Sequence, residues 1–181
     1  VIDTDEHFRR DASLEGMAKL RPVFKKDGSV TAGNASGIND GAAAIVMMEA
    51  GAAARAGAKP LARLVSYAVA GVDPTIMGTG PIPAVKLALQ RAGLKASDLD
   101  VIESNEAFAV QAMCCTRELG LDPAKVNPNG GAVGLGHPVG ATGAILTVKC
   151  LYELQRTGGR YGLITMCIGG GQGIAGIIER I

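Results

Sequence analysis

The sequence predicts an α/β fold, a mixed β-sheet with helices on both faces. Short apolar runs of β-formers alternate along the chain with segments whose apolar residues recur every three or four positions, and that order is the pattern of a sheet covered by helices. Gly- and Pro-rich turns separate the runs. The supply of side chains agrees: 48% of the 181 residues are hydrophobic, 26 are Gly, only 3% are aromatic and none is Trp, so Ala, Val, Ile and Leu must fill closely spaced layers. A chain of this length holds one sizeable domain, or one domain plus part of another.

The elements follow in order. Residues 1–31 mix charged and apolar positions around an Asp27-Gly28 turn signal, which predicts a short helix and a loop excursion, with His7 as a solvated surface residue. From Thr31 to Met48 small turn-forming residues give way to a continuously apolar run, the pattern of a buried strand after a tight loop. Ser36 in that loop can donate to a ligand or bond its own turn. An Ala-rich stretch from Glu49 to Gly57 precedes Lys59-Pro60, a boundary. Leu61–Val69 is a predicted strand, and residues 71–83 a Gly/Pro loop. A helix follows with Val85, Ala88, Leu89 and Ala92 on one face and Gly93 as its stop. Leu99–Glu103 is the next strand. Asn105 is placed at the start of a further helix with Phe108, Cys115 and Leu119 at apolar positions and Gly120 closing it. Pro138 disfavours helical backbone at His137, so the imidazole is displayed from an extended residue at a helix entrance. Ala141, Ala144, Ile145, Val148, Leu151 and Tyr152 then form the predicted core stripe of that helix. Gly162–Cys167 and Gly173–Ile178 are strands joined by Gly169-Gly170-Gly171-Gln172.

Charge excludes some functions. The formal net charge is +1 with no block of like sign, so there is no electrostatic footprint for nucleic acid or an anionic membrane. No apolar run is long enough to span a bilayer. The opening Val1-Ile2-Asp3-Thr4-Asp5-Glu6 is neither an initiator Met nor a signal peptide, so the chain is expected to be a piece of something longer. Cys114, Cys115, Cys150 and Cys167 have no metal-site spacing and are read as free thiols, the first three as small buried hydrophobes.

Three loops carry the chemistry. Asn105-Glu106-Ala107-Phe108-Ala109, the turn around His137, and Cys167-Ile168-Gly169-Gly170-Gly171 all lie where strands give way to other elements, and such loops converge on one face of an α/β sheet. Together they would hold an amide, an imidazole, a thiol and glycine N–H groups for an oxyanion, which is equipment for acyl chemistry. Taken singly, Asn105 is also a helix cap with Glu106 as a first-turn carboxylate, and Cys167 a strand-end residue before a hairpin. Neither glycine run fits a dinucleotide loop.

The segments Asn105-Glu-Ala-Phe-Ala, Asn129-Gly-Gly-Ala-Val-Gly-Leu-Gly-His-Pro-Val-Gly-Ala-Thr-Gly and Cys167-Ile-Gly-Gly-Gly together resemble those of thiolases, the acyl-CoA C-acyltransferases. Thr31-Ala-Gly-Asn-Ala-Ser-Gly-Ile-Asn-Asp-Gly and Gly71-Val-Asp-Pro-Thr-Ile-Met-Gly-Thr-Gly-Pro extend the resemblance over essentially the whole chain, which looks most like bacterial β-ketothiolases. The resemblance implies a thiolase-like layered fold, the C-terminal half of an αβαβα architecture. It divides the chain into the end of a loop domain (1–37), the last segment of the N-terminal domain (38–59) and the C-terminal domain (60–181). It implies that His137 activates an acyl-accepting cysteine and forms one oxyanion hole with a water held by Asn105. Cys167 moves the α-proton, and the Gly169 N–H serves a second oxyanion hole. Phe24, Ala32, Ser36, Ile38, Met77 and Phe108 match positions of the pantetheine channel, and Arg9 one near the CoA nucleotide.

By the same resemblance, CoA and acyl-CoA are substrates, no metal or permanently bound cofactor is used, and the protein is a cytoplasmic homotetramer or homodimer. The acylated cysteine of thiolases lies in an N-terminal half that no residue here matches, so the fragment alone is expected to be inactive and to need that half as its partner. The alternatives are a decarboxylating condensing enzyme, which typically has His where Cys167 stands, a silent CoA- or acyl-binding module or split subunit, and a purely structural α/β domain.

Overall fold

A computed structural model describes residue 1 and residues 3–181; Ile2, in the opening stretch, lies outside the described residues. The short predicted helix is α1 (Leu14–Ala18), capped by Ser13, whose Oγ accepts the Gly16 N–H. The Ala-rich stretch is α2 (Ala50–Arg55), where the Glu49 carboxylate accepts the N–H groups of Gly51 and Ala52. Four strands then form one sheet: β1 (Ala62–Gly71), β2 (Val101–Ser104), β3 (Tyr161–Ile168) and β4 (Gln172–Arg180), in the order β1-β4-β3-β2. β1–β4 and β4–β3 are antiparallel and β3–β2 is parallel, so the sheet is mixed as expected.

Consecutive strand residues feed opposite faces. Ile102, Leu163 and Ile177 join Ala68 and Ala175 against Ala84, Val85, Ala88 and Leu89 of α3 (Pro81–Ala92). Their neighbours Val101, Ile164 and Ile178 meet Leu146, Cys150 and Leu154 of α6 (Thr142–Thr157). α4 (Ala109–Glu118) and the single turn α5 (Ala132–Leu135) lie between β2 and α6 in the chain. The expected helices on both faces are therefore α3 and α6.

Several local expectations are corrected. The loop expected over residues 71–83 contains a 3₁₀ turn (Pro74–Thr79), and α3 starts at Pro81, whose missing N–H costs nothing in the first helical turn. Gly80 must be glycine there: a Cβ on it would collide with the Gln172 carbonyl, and one on Gly173 with Gly80 itself. The buried strand predicted near Met48 is absent. Residues 41–49 are irregular, with Val46 86% and Met47 71% exposed, because no other described strand offers them a ladder. α4 begins at Ala109, with Phe108 as its N-cap residue and not Asn105. Cys115 and Cys150 are buried, but Cys114 is exposed.

The predicted stripe on α6 is also rotated. Its buried residues are Thr142, Leu146, Cys150, Glu153 and Leu154, whereas Tyr152 is exposed. Apolar periodicity could not anticipate a buried carboxylate. Glu153 tolerates burial because Arg156 donates through Nε at 2.8 Å and Nη2 at 2.6 Å, and Asn129 Nδ2 donates at 2.9 Å. His7, expected in solvent, packs its ring against Gly37.

The bonds from Arg156 and then Asn129 hold the Glu153 carboxyl down to about 2. Its folded-state value lies below the unfolded one, so the stability it contributes is complete above pH 4.5 and is lost as pH falls toward 2. Unfolding midpoints measured across that window should fall less steeply with acid in Glu153→Gln than in the parent.

Candidate active site

The geometry of the candidate active site starts at the end of β2. Ser104 is the last residue paired to β3, opposite Thr165, and the Asn105 N–H still donates to the Thr165 carbonyl at 3.0 Å. Since the strands run parallel, Asn105 follows β2 at the end of the sheet toward which β3 continues through Met166 and Cys167, still paired to β4. Beyond β2 the ladder is finished by a side chain. Asn127 Oδ1 accepts the Ser104 N–H at 2.9 Å and its Nδ2 donates to the Ser104 carbonyl at 2.8 Å. Asn127 is in the left-handed region, φ 47°. That backbone costs about 1–2 kcal/mol, and two hydrogen bonds of about 1 kcal/mol each offset it.

Glu106 does not sit in the first turn of α4. It accepts from Asn127 Nδ2 at 3.3 Å and from the Val133 N–H at 3.2 Å, so the carboxylate faces the start of α5. Any side chain at Gly131 would collide with it. The chain that leads to His137 is thus fastened to the residue next to Asn105.

His137 is held on three sides. Its N–H lies 3.2 Å from both the Gly37 carbonyl and Asn39 Oδ1, and it bridges to Ile38 in parallel register, the extended backbone that Pro138 requires. Its Nδ1 is 2.7 Å from Thr142 Oγ1, and that hydroxyl donates its only proton to the Pro138 carbonyl at 2.9 Å. Thr142 therefore accepts from Nδ1–H, which leaves the Nε2 lone pair to accept from Asn105 Nδ2 at 3.3 Å. Asn105 is 1% exposed. Burial pushes the imidazole below the ordinary histidine range, so it is neutral at pH 7 with Nε2 free to take a proton. The helix expected directly after Pro138 begins only at Thr142, which makes Thr142 the residue that orients the ring.

Cys167 lines a cavity of about 230 Å³ with Met77, Phe108, Gln111, Cys114 and the 3₁₀ turn. Burial raises the Cys167 thiol above its usual range, so it is protonated unless a partner takes the proton. Gly169 lies just beyond it, with open space where a side chain would be. Phe24 packs edge-on to Phe108, ring centroids 6.1 Å apart. Ser36, Ala32, Ile38 and Arg9 do not line this cavity. Ser36 Oγ donates to the Ala107 carbonyl at 3.1 Å, Ala32 and Ile38 are exposed, and Arg9 pairs with Asp11 at 3.2 Å. Sequence patterning passed over Thr142, Gln111 and Lys149. The Thr-Gly that opens α6 was the one available signal, a hydroxyl-bearing residue five positions after the histidine.

Among the described residues no group of three or more His, Cys, Asp or Glu side chains could hold a metal ion, and no helix is long and apolar enough to cross a membrane.

An imidazole–carboxamide pair and, lining a separate cavity at the same end of the mixed sheet, a thiol are groups suited to acyl chemistry. Comparison with known proteins agrees. Residues 58–180 match the family model of the thiolase C-terminal domain, and residues 1–51 that of the thiolase N-terminal domain. The chain belongs to the thiolase family. It is 70% identical over 182 residues to beta-ketothiolase BktB of Cupriavidus necator, and 57% identical over 181 residues to the acetyl-CoA acetyltransferase of Shinella zoogloeoides. Each alignment covers all of this chain but 46% of the relative, so the chain spans less than half the length of these proteins. The crystal structure of Bacillus anthracis acetyl-CoA acetyltransferase superposes with a TM-score of 0.94 at 52% identity, covering 98% of this chain and 45% of that one. Human mitochondrial 3-ketoacyl-CoA thiolase in complex with CoA gives a TM-score of 0.90 at 47% identity, covering 99% and 46%.

Thr142→Val removes the acceptor for Nδ1–H without changing side-chain size. The ¹⁵N shifts of the His137 ring should then report mixed tautomers, where the parent reports Nδ1–H alone and a titration midpoint below 6.5.

Proposed function

We propose that this chain carries one half of a thiolase active site, in a protein that transfers acyl groups between an enzyme cysteine and CoA thioesters. The reaction joins two acetyl-CoA molecules into acetoacetyl-CoA and CoA, or runs in reverse as thiolysis of a 3-ketoacyl-CoA. The observation that carries this reading is the Asn105 Nδ2 to His137 Nε2 contact, at the same sheet end as Cys167.

The chemistry follows from the proton positions. A neutral imidazole with its lone pair on Nε2 is a base for the free thiol of the acyl-accepting cysteine before it is acylated, a residue this reading assigns to a segment outside these 181 residues. Once it holds that proton, Nε2–H becomes a donor. With a water on the Asn105 carboxamide it holds the thioester oxygen as negative charge develops there. The low basicity that burial gives His137 keeps the proton transfer reversible. Cys167 is the second proton carrier: as thiolate it removes the α-proton of acetyl-CoA in condensation, and as thiol it returns one to the leaving enolate in thiolysis. The Gly169 N–H contributes to a second oxyanion hole. Phe24, Ala32, Ser36, Ile38, Met77 and Phe108 are assigned to the pantetheine channel, with Met77 and Phe108 on the walls of the Cys167 cavity, and Arg9 is assigned to the CoA nucleotide.

The division into segments 1–37, 38–59 and 60–181 belongs to the same reading, as do a cytoplasmic location, a homotetrameric or homodimeric state and a role in fatty acid metabolism. In the full-length protein, His137→Ala and Cys167→Ala should each lower acetoacetyl-CoA thiolysis by about 10²–10⁴-fold, and Asn105→Ala by about 10²–10³-fold. The isolated 181-residue chain should show no turnover. Unchanged activity in the first two variants would leave the silent binding module or structural domain as the better account.

A further inference from the structure

Beneath the Asn105–His137 contact lies a charge pair that sequence patterning did not single out. Glu103 stands two residues before Asn105, and residues two apart on a strand share a face. Its carboxylate is 0% exposed. One oxygen accepts from Lys149 Nζ at 2.8 Å, and the other has no partner among the described residues. The same ammonium donates to the Gly130 carbonyl at 2.7 Å, in the segment that leads to His137. A lysine has three N–H donors, and Lys149 has one left for the cavity of about 200 Å³ that it lines together with Asn105, Thr142, Asn39 and Asp40. Asn105 Oδ1 is likewise buried and unpartnered.

Such a pair is weak evidence of stability, because desolvating both ions rivals their attraction. Burial drives the Glu103 carboxyl above its ordinary range and the Lys149 bond opposes that shift. What the pair does achieve is geometric. One cation ties the strand that ends in Asn105 to the loop that ends in His137.

We propose that Lys149, clamped between Glu103 and the Gly130 carbonyl, is a positioning residue that sets the approach of the Asn105 carboxamide to His137 Nε2. The proposal rests on the thiolase reading above. Its test uses the full-length protein, with kcat and KM for acetoacetyl-CoA thiolysis and urea unfolding midpoints measured for K149M, E103Q, K149M/E103Q and a His137→Ala control.

K149M should lose about 10-fold or more in kcat, since small misplacements of reacting groups carry penalties of that order, while KM stays within about twofold. Its unfolding midpoint should fall, because a buried carboxylate loses its partner. In K149M/E103Q that carboxylate is gone, so the midpoint should recover while kcat stays low. A pair with only a structural role would let kcat recover with the midpoint, and that result overturns the proposal, as does wild-type kcat in K149M. If K149M does not fold, the double variant carries the comparison with E103Q. A fully active His137→Ala overturns the thiolase reading and this proposal together, whereas an inactive His137→Ala beside a fully active K149M overturns this proposal alone.

Discussion

A parallel strand pair leaves one edge unsatisfied where it stops, and at the end of β2 the Asn127 carboxamide supplies both the acceptor and the donor that a further strand residue would have presented to Ser104. The backbone of Asn127 also donates to Ile102 at 2.7 Å. This splice lets the chain leave the sheet one residue later with its ladder complete. Asn105, its N–H still bonded to the Thr165 carbonyl of β3, can therefore turn its carboxamide inward at 1% exposure. The rest of the site is built from that fixed point. Glu106 anchors α5, Thr142 turns the imidazole, and the loop of residues 34–36 pairs with residues 107–109 to close the other side.

Burial acts in opposite directions on the two titratable groups of the site, His137 and Cys167. It disfavours the cation of His137 and the anion of Cys167, so both are uncharged at rest. A neutral imidazole is a ready base, but a neutral thiol must first be relieved of its proton. Cys115 is likewise raised, to about 11, and is hydrogen-bonded to the Gly78 carbonyl.

The sheet was legible in the sequence because β-formers alternate with Ala- and Leu-rich periodic stretches and because glycines mark the turns; Gly93 and Gly158, both left-handed, end their helices where glycine ends helices generally. The three loops of the site were legible for the same reason, as breaks between well-patterned elements. Asn105 was ambiguous because a carboxamide before a helical stretch is as good a cap as a ligand, and only its burial and its contact with His137 separate the two. Thr142 and Lys149 were not legible, since each sits on a helix whose apolar pattern points elsewhere. Polar residues buried by specific partners rotate a helix away from its hydrophobic stripe, as Glu153 does with Arg156 and Asn129.

The stretch before α2 has no strand partner among the described residues of a chain that spans less than half the length of its relatives. Ile45, Val46, Met47 and Met48 have the composition of a buried strand, yet composition specifies only a willingness to be buried. A strand also needs a neighbour whose N–H and C=O groups match its own, and that neighbour is a property of the rest of the fold. Where the ladder is missing, extended apolar backbone gains nothing from pairing and its side chains stand in solvent, as these four do. The same logic separates β2 from this stretch. β2 has four residues and survives because β3 lies on one side and Asn127 completes the other, so what distinguishes a strand from a strand-like sequence here is the partner rather than the propensity.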